Sequence, residues 1–524
     1  MKPPTDHVPG RSVLSGAAAL GGAGLLAKAL SAVYRVLVAQ WLGAEVVGLY
    51  EMAAPVLATG ISICNLGLPV ATSALVAGAF GRGEAASARG LRRAGRRLLL
   101  LVSAVGAAAV FVFAPALAGA IGNPAATGPL RAIAPGILLA TLLAGEKAWL
   151  QGSGRVAASA VAVAVEQVAR VGSALVAATA FRGGAPGAAA GAATALAWSP
   201  AVGAAGGIAA CALTDRWRVP VAGGVAPTPL PPSAGAAIRA LLRAGLPNWA
   251  GGVVSSLTTA LDAAFVIWRL RAAGLDDYTA TAWLGELNGM AMPLAAGPAV
   301  FLGALGSALI PHLAADWARG RVGALRRRGA SAYFWSLAVA APCALALWQL
   351  AEPICALIFP RNPGAALPLG LLAFVGIPLG LTYVAGAVAN AVGQPAALLP
   401  GVTCGSVVRS GLVLALTGSY GLGVRGAAIG VVAGFALSAG LNVRAVHGLT
   451  GCQPPWWTFC AVGVPALAGQ VFAAGAAWSV LAAAALPYRV LITGAVAALA
   501  YACIFLAGYS GWRGRLSLPV WPRI

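Results

Sequence analysis

The sequence predicts an all-α polytopic membrane protein, and three observations predict it. Of 524 residues, 60% are hydrophobic and only 9% charged, against about 25% charged in a soluble chain. The mean hydropathy is +0.86, and apolar runs long enough to span a bilayer recur along the whole chain. Basic residues crowd alternate breaks between those runs, the pattern of cytoplasmic loops. This placement accounts for the net charge of +21, which in a soluble chain would suggest nucleic acid; no nucleic-acid partner is expected. The eight cysteines form no C-x-x-C pair and read as small buried hydrophobes. His7, His312 and His447 are scattered, so no metal site and no cofactor are expected. No P-loop is present to use ATP, and the loops are too short to carry a glycosyltransferase site, so the chain reads as a non-enzyme.

On a ruler of about 20 apolar residues per span, about fourteen transmembrane helices are expected. The first lies near 12–42. Lys2 and Arg11 precede it as in a signal peptide, but the run is too long and holds Lys28, so it reads as uncleaved. After Gly43-Ala44-Glu45 the second, near 46–80, carries Glu51, Pro55 and Pro69. Helices near 98–121, 129–151, 157–181 and 188–213 complete a first set of six. Thr214 to Gly245 is the longest polar break: VAPTPLPPSAG is a Pro-rich linker, followed by a basic amphipathic piece around Ile238–Leu242. A second set lies near 246–270, 280–311, 331–358, 366–391, 396–417 and 425–447. Two more follow near 458–484 and 488–509, the first behind an interfacial Trp456-Trp457 anchor. Internal prolines such as Pro55, Pro135, Pro342 and Pro378 remove backbone donors and make hinges.

With the N-terminus inside, 21 of the 34 Lys and Arg fall in inner segments and six at outer ends, so both termini are expected in the cytoplasm of a cytoplasmic-membrane protein. The two sets of six also repeat. At a constant offset of 239 residues, Asn123-Pro124 meets Asn362-Pro363, Gly154 meets Gly393 and Arg170 meets Arg409. Leu68-Pro69 is more loosely similar to Ile310-Pro311, each read as closing a helix before a basic loop. Copies separated by six helices run the same way through the membrane, a parallel repeat with a site between the lobes. The expected divisions are an N-lobe at 1–213, a cytoplasmic linker with a short amphipathic helix at 214–245, a C-lobe at 246–447, and at 448–524 two further helices and a basic tail.

Charge inside a span costs about 2.5–3.5 kcal/mol on insertion scales, so each such residue needs a partner or a cavity. Lys28 and Arg35 share a helix face. Lys28 sits too deep to snorkel at the Trp41 end, whereas Arg35 is within reach of it. Glu51 reads either as their partner or as part of the site. Lys147 is a buried cation beside Glu146. Glu166 and Arg170 stand at i, i+4 and are expected to pair within their helix. Arg409, the repeat mate of Arg170, has Gly405 in place of that glutamate and is the better cavity candidate. Asp262 is deep enough for a cation or proton coupling site or a structural pair, and Glu286 beside Asn288 is a second coupling candidate. Lys28, Arg35, Glu51, Lys147, Arg170 and Arg409 thus form the candidate substrate cavity, with cations in excess, which suits a phosphate or pyrophosphate head group.

The run AKALSAVYRVLVAQWLGAEVVGLYEMAAPVLATGISICNLGLPVATSALVA resembles the opening of the stage V sporulation protein B-like polysaccharide exporters. ATAWLGELNGMAMPLAAGPAVFLGALGSALIPHLA is similar to their eighth helix, and EPICALIFPRNPGAAL and ANAVGQPAALLPGV to their ninth-to-eleventh helix region. The superfamily also holds the lipid II flippase MurJ and the multidrug and toxin extruders. The resemblance implies two six-helix bundles working by alternating access, moving an undecaprenyl-pyrophosphate-linked saccharide such as a peptidoglycan precursor. Lys28 and Arg35 fall at or beside the cavity-facing basic positions of the flippase branch. Val56-Leu57-Ala58-Thr59 stands where that branch carries arginine, which favours the sporulation-type branch. Two extra helices also fit the flippases, where such a pair forms a groove for the lipid tail. Membrane lipid, cell-wall synthesis proteins and coupling to Na+, H+ or the membrane potential are expected around a monomer. The alternative is a cation-coupled multidrug antiporter.

Overall fold

In lipid every backbone N–H must bond within its own segment, so apolar runs of this length fold as helices. The computed structural model describes residues 10–181, 188–215, 233–418 and 422–513, with no strand among them. The helices are α1 (Gly10–Asn65), α2 (Leu68–Gly81), α3 (Ala85–Ile121), α4 (Thr127–Gly152), α5 (Val156–Ala180), α6 (Ala189–Ala197), α7 (Ser199–Asp215), α8 (Ala234–Ala272) and α9 (Asp277–Leu284). They continue as α10 (Met292–Ala318), α11 (Val322–Gln349), α12 (Ala351–Ile358), α13 (Ala366–Leu372), α14 (Gly376–Ala391), α15 (Leu399–Leu416), α16 (Val424–Thr450), α17 (Trp456–Val480) and α18 (Leu486–Arg513).

Among the described residues twelve helices are long and apolar enough to cross a membrane. The first of these, Val33–Gly81, takes in most of α1, whose fold-back at Gly43 leaves residues 10–42 on one side and 44–65 on the other, each long enough for a pass of about 20 residues. The α9–α10 rod, joined by a π-helical turn at Gly285–Ala291, is not counted among the twelve. The fourteen expected from sequence therefore differ mainly in how the rods are divided.

Several boundaries move. The second span does not run unbroken to residue 80: Leu66 (φ 48°) and Gly67 (φ 69°) interrupt it, and Pro69 opens α2 instead of closing a helix. Gly67 is required there because a Cβ would strike the Gly245 carbonyl of α8. The amphipathic piece is not a separate helix. It is the first part of α8, capped by the Ser233 side chain accepting from the Ala236 N–H, and it runs straight on into the membrane. Ala237 and Leu241 bury against Leu68, Leu91 and Trp149, while Arg239 and Arg243 stay exposed. The Pro-rich stretch ahead of it lies outside the described residues.

The repeated motifs adopt the same local forms. Asn123 and Asn362 each precede a 3-10 turn, Pro124–Ala126 and Pro363–Ala365. Gly154 and Gly393 both take positive φ, 78° and 74°. Each asparagine then reaches into the other half of the chain. Asn123 Nδ2 donates to Thr281 Oγ1 at 2.9 Å, and the Ala44 N–H donates to Asn362 Oδ1 at 3.2 Å. Between them α1 and α9 cross where Gly48 faces the Thr281 carbonyl and Gly285 faces the Ala44 carbonyl, a contact no side chain would permit.

The core follows the same plan. One cluster spans both halves near Gly43, taking in Leu49 and Met52, Leu130 and Ile133, Leu284 and Leu287, and Phe359 and Leu369. Toward the basic loops the packing divides into two separate clusters. One surrounds Leu68 and Leu150 in the first half; the other surrounds Tyr333 and Phe459 in the second. In the latter, α17 and α18 pack on α11. Pro342 cannot donate to the Ala338 carbonyl, and the Tyr501 hydroxyl donates to that carbonyl instead, at 2.9 Å.

Candidate functional site

Between the halves lies a cavity of about 270 Å3 whose polar wall is built from Arg35, Glu51, Thr259, Asp262, Asn288 and Arg409. The fold-back at Gly43 (φ 81°, ψ 175°) sets the two parts of α1 side by side, so residues sixteen apart in sequence meet. Arg35 Nη1 stands 3.0 Å from Glu51 Oε1. Across the cavity α8 and α15 bring Arg409 Nε to 2.7 Å from Asp262 Oδ2. The Ser410 hydroxyl donates to the other oxygen of Asp262, Arg409 Nη2 donates to Thr259 Oγ1 at 3.0 Å, and the guanidinium lies over the Phe435 ring, 5.4 Å from its centroid.

The two pairs differ in solvation. The Arg35 side chain keeps 31% of its surface exposed, the Arg409 side chain 9%. Arg35 is therefore the more accessible cation of the two, and Arg409 is buried against its carboxylate. Glu51 is the partner of Arg35 and also lines the cavity, so the two sequence readings of it coincide. Asp262 receives one partner on each oxygen, Arg409 on one and Ser410 on the other, so it stands as a structural pair in this conformation.

Other candidates go elsewhere. Glu166 does not pair with Arg170 one turn away; Lys147 Nζ reaches it from α4 at 2.9 Å. Gly203 and Gly207 let α7 close directly on the backbone and Cβ of Glu166 and Arg170, and Arg170 turns to the Tyr50 hydroxyl at 3.4 Å. Lys147 is thus a pair inside the first half and does not line the cavity. Arg170 reaches the site only through Tyr50, which lines a small recess beside Arg35 and Glu51. Glu286 is buried on the π-helical turn, away from the cavity wall that its neighbours Leu287 and Asn288 form. The Lys28 side chain lies outside the described residues. The surplus of cations read from the sequence is not carried by the described cavity wall, where Arg35 and Arg409 are matched by Glu51 and Asp262.

Thr259, Ser410 and Phe435 were not flagged by the sequence, because single polar or aromatic residues in apolar runs carry no pattern. A further network was also invisible there. Arg92 bridges Glu146 at 2.6 Å and Asp215 at 2.7 Å, Arg155 joins Asp215 at 2.6 Å, and Trp149 lies beneath Arg92, all at the basic-loop end of the first half. Its members come from α3, α4, α7 and the start of α5, so no local spacing announces it. Among the described residues no three His, Cys, Asp or Glu side chains gather as a metal site.

The model of a family described as polysaccharide biosynthesis protein matches residues 13–315. Over 443 residues, 83% of this chain and 84% of the relative, the sequence is 26% identical to stage V sporulation protein B of Bacillus subtilis (strain 168). Among solved structures the chain is similar to the lipid II flippase MurJ in an inward closed conformation. The TM-score is 0.69 at 11% identity, covering 95% of this chain and 99% of that one. It is also similar to the inward-facing conformation of a multidrug resistance MATE family transporter of the MOP superfamily. There the TM-score is 0.64 at 16% identity, covering 81% and 94%. At such identities the likeness shows the fold.

Proposed function

The chain belongs to the polysaccharide biosynthesis protein family, and from that premise we propose that it flips an undecaprenyl-pyrophosphate-linked saccharide, a lipid II-like peptidoglycan precursor, across the cytoplasmic membrane. The observation that carries this reading is the charged cavity between two repeat-related halves. In the proposed orientation the basic loops and both termini are cytoplasmic, so the Gly43 end faces outward. The halves share one core at that end and have separate cores at the other. That arrangement suits loading from the cytoplasmic leaflet followed by rocking to the outer one.

The cavity of about 270 Å3 falls below the roughly 300–1,000 Å3 of pockets that hold drug-sized ligands. A pyrophosphate-linked sugar therefore enters only as the basic-loop end widens. Arg35, half-exposed and fork-shaped, exchanges Glu51 for a phosphate oxygen pair, with Lys28 proposed two turns along the same face. The lipid tail stays in the bilayer, and a cation or the membrane potential resets the cycle. Cell-wall synthesis proteins are the proposed recipients of the product.

The test is translocation of labelled lipid-linked precursor in reconstituted vesicles. Arg35→Ala and Lys28→Ala are each expected to lower translocation at least tenfold with normal insertion; full activity in both would remove the proposed grip. Efflux of small cationic drugs by the same vesicles, with no precursor movement, would replace this reading by a multidrug antiporter.

A further inference from the structure

Five acidic side chains are buried among the described residues, and four have a base. Glu51 pairs with Arg35, Glu146 with Arg92, Asp262 with Arg409, and Asp316 with Arg328 at 2.7 Å. Glu286 is the exception. It is 8% exposed, and no hydrogen bond or ion pair joins it to any described residue.

Its position is specific. Glu286 stands on the π-helical turn Gly285–Ala291, a backbone form concentrated at functional sites. Both carboxyl oxygens lie 2.5 Å from where a Cβ on Gly364 would stand, so the carboxyl fills room that only glycine leaves. Gly364 belongs to the Asn362-Pro363 turn whose Asn362 Oδ1 accepts the Ala44 N–H and ties the halves together. Asn362 Nδ2 is buried in the same turn without an acceptor. Gly285, the residue before Glu286, is the glycine of the α1–α9 crossing. The carboxyl thus sits under the closure at the Gly43 end.

The groups facing it supply no counter-charge. Along the stretch of α1 that packs on the turn stand Glu45, Tyr50 and Glu51, the last paired with Arg35, and ahead of Asn362 stand Glu352 on α12 and Arg361, which is exposed and donates to the Gln40 carbonyl. From α12 comes the Cys355 thiol, and from α9 Asp277, paired with Arg271 at 2.8 Å. The α10 helix brings His312 and Asp316 only toward its far end, and α13 and the Pro363–Ala365 turn bring no titratable side chain. A carboxylate anion at membrane depth with no bonded partner is costly, and a neutral carboxylic acid is less so. Parting of Ala44 from Asn362 and of Gly48 from Gly285 would uncover the turn to water.

We propose that Glu286 is a proton-binding site that is filled whenever the Gly43 end is closed, and that its proton is released when that end opens. The proposal rests on the alternating-access reading, but its test needs no substrate. A cysteine at Val431, on the cavity wall, is labelled in right-side-out vesicles by a membrane-impermeant maleimide, with the unsubstituted chain giving the background of its own cysteines. Because the thiolate is the reacting form, each labelling rate is divided by that of the same cysteine in denatured protein at the same pH, and this normalised labelling is expected to be several-fold higher at about pH 8 than at about pH 5.5. In Glu286→Gln, a permanently uncharged isostere, labelling should be low and flat with pH. In Gly364→Ala, where a methyl displaces the carboxyl, it should be high and flat. An unchanged pH response in Glu286→Gln, or labelling that follows sodium at fixed pH, would overturn the proposal. Normal pH-dependent labelling in vesicles that move no precursor would instead sink the flippase reading and leave this one standing.

Discussion

Asp262 shows how one side chain changes meaning once its neighbours are known. On the sequence it is a deep acid, open to a role as a cation or proton site or as half of a structural pair. In the fold its carboxylate is shared by Arg409 and Ser410, and Arg269 Nε donates to the Thr417 carbonyl at 3.0 Å. Removing one member of a buried pair leaves the other uncompensated, which costs about 3–5 kcal/mol, whereas removing both is close to neutral. Asp262→Asn is therefore expected to destabilise the protein by about that amount in detergent unfolding, and Asp262→Asn with Arg409→Gln to recover most of it. Arg35 is more exposed, so Glu51→Gln should cost clearly less, on the order of 1 kcal/mol, while still lowering translocation. Equal losses at Asp262 and Glu51 would contradict the difference in solvation seen between the two pairs. The partners themselves were unreadable from sequence. Glu166 has a plausible mate four residues on, yet it pairs with Lys147 of α4 instead, a neighbour that only the packing of helices brings near.

Helices were far more legible than their contacts. Apolar runs mark where spans lie, and paired Asn-Pro motifs mark two 3-10 turns that the fold does build, because the fixed φ of proline is written locally, although only Asn123 caps its own turn. The π-helical turn at Gly285–Ala291, the break at Leu66-Gly67 and the seamless join of the amphipathic piece to α8 depend on packing against other helices, and no local pattern encodes them. The Pro342 kink offers a test at this scale. Tyr501→Phe strands the Ala338 carbonyl in an apolar setting, at a cost of about 0.6–1.7 kcal/mol by the measured range for hydrogen bonds between membrane helices. Restoring the backbone donor with Pro342→Ala should make Tyr501→Phe nearly silent. A double-mutant cycle on unfolding reads this directly, and additive losses would mean that Tyr501 and Pro342 do not act on the same carbonyl.

Across the whole molecule the division of the core sets what can move. A cluster continuous between the halves near Gly43 is held by hydrogen bonds in both directions. Gln40 Nε2 donates to the Ile358 carbonyl at 2.6 Å, Arg361 Nη1 to the Gln40 carbonyl at 3.1 Å, and Trp268 Nε1 to the Ala120 carbonyl at 2.7 Å. At the basic-loop end each half keeps its own cluster, and the contacts between halves run chiefly along α8, as at Gly67–Gly245 and Ser62–Ser256. Packed interfaces tend to have discrete alternatives rather than continuous deformations, so the proposed cycle must exchange the Gly43 closure for one at the other end. Cysteines introduced together at Ala44 and Asn362, in a background where the native cysteines are replaced, put a disulfide across that closure. Oxidation is expected to stop translocation and reduction to restore it, while binding of the precursor from the cytoplasmic side persists in the oxidised form. Translocation that continued under a complete cross-link would require a path that never opens the Gly43 end, and alternating access between these two halves would then have to be abandoned.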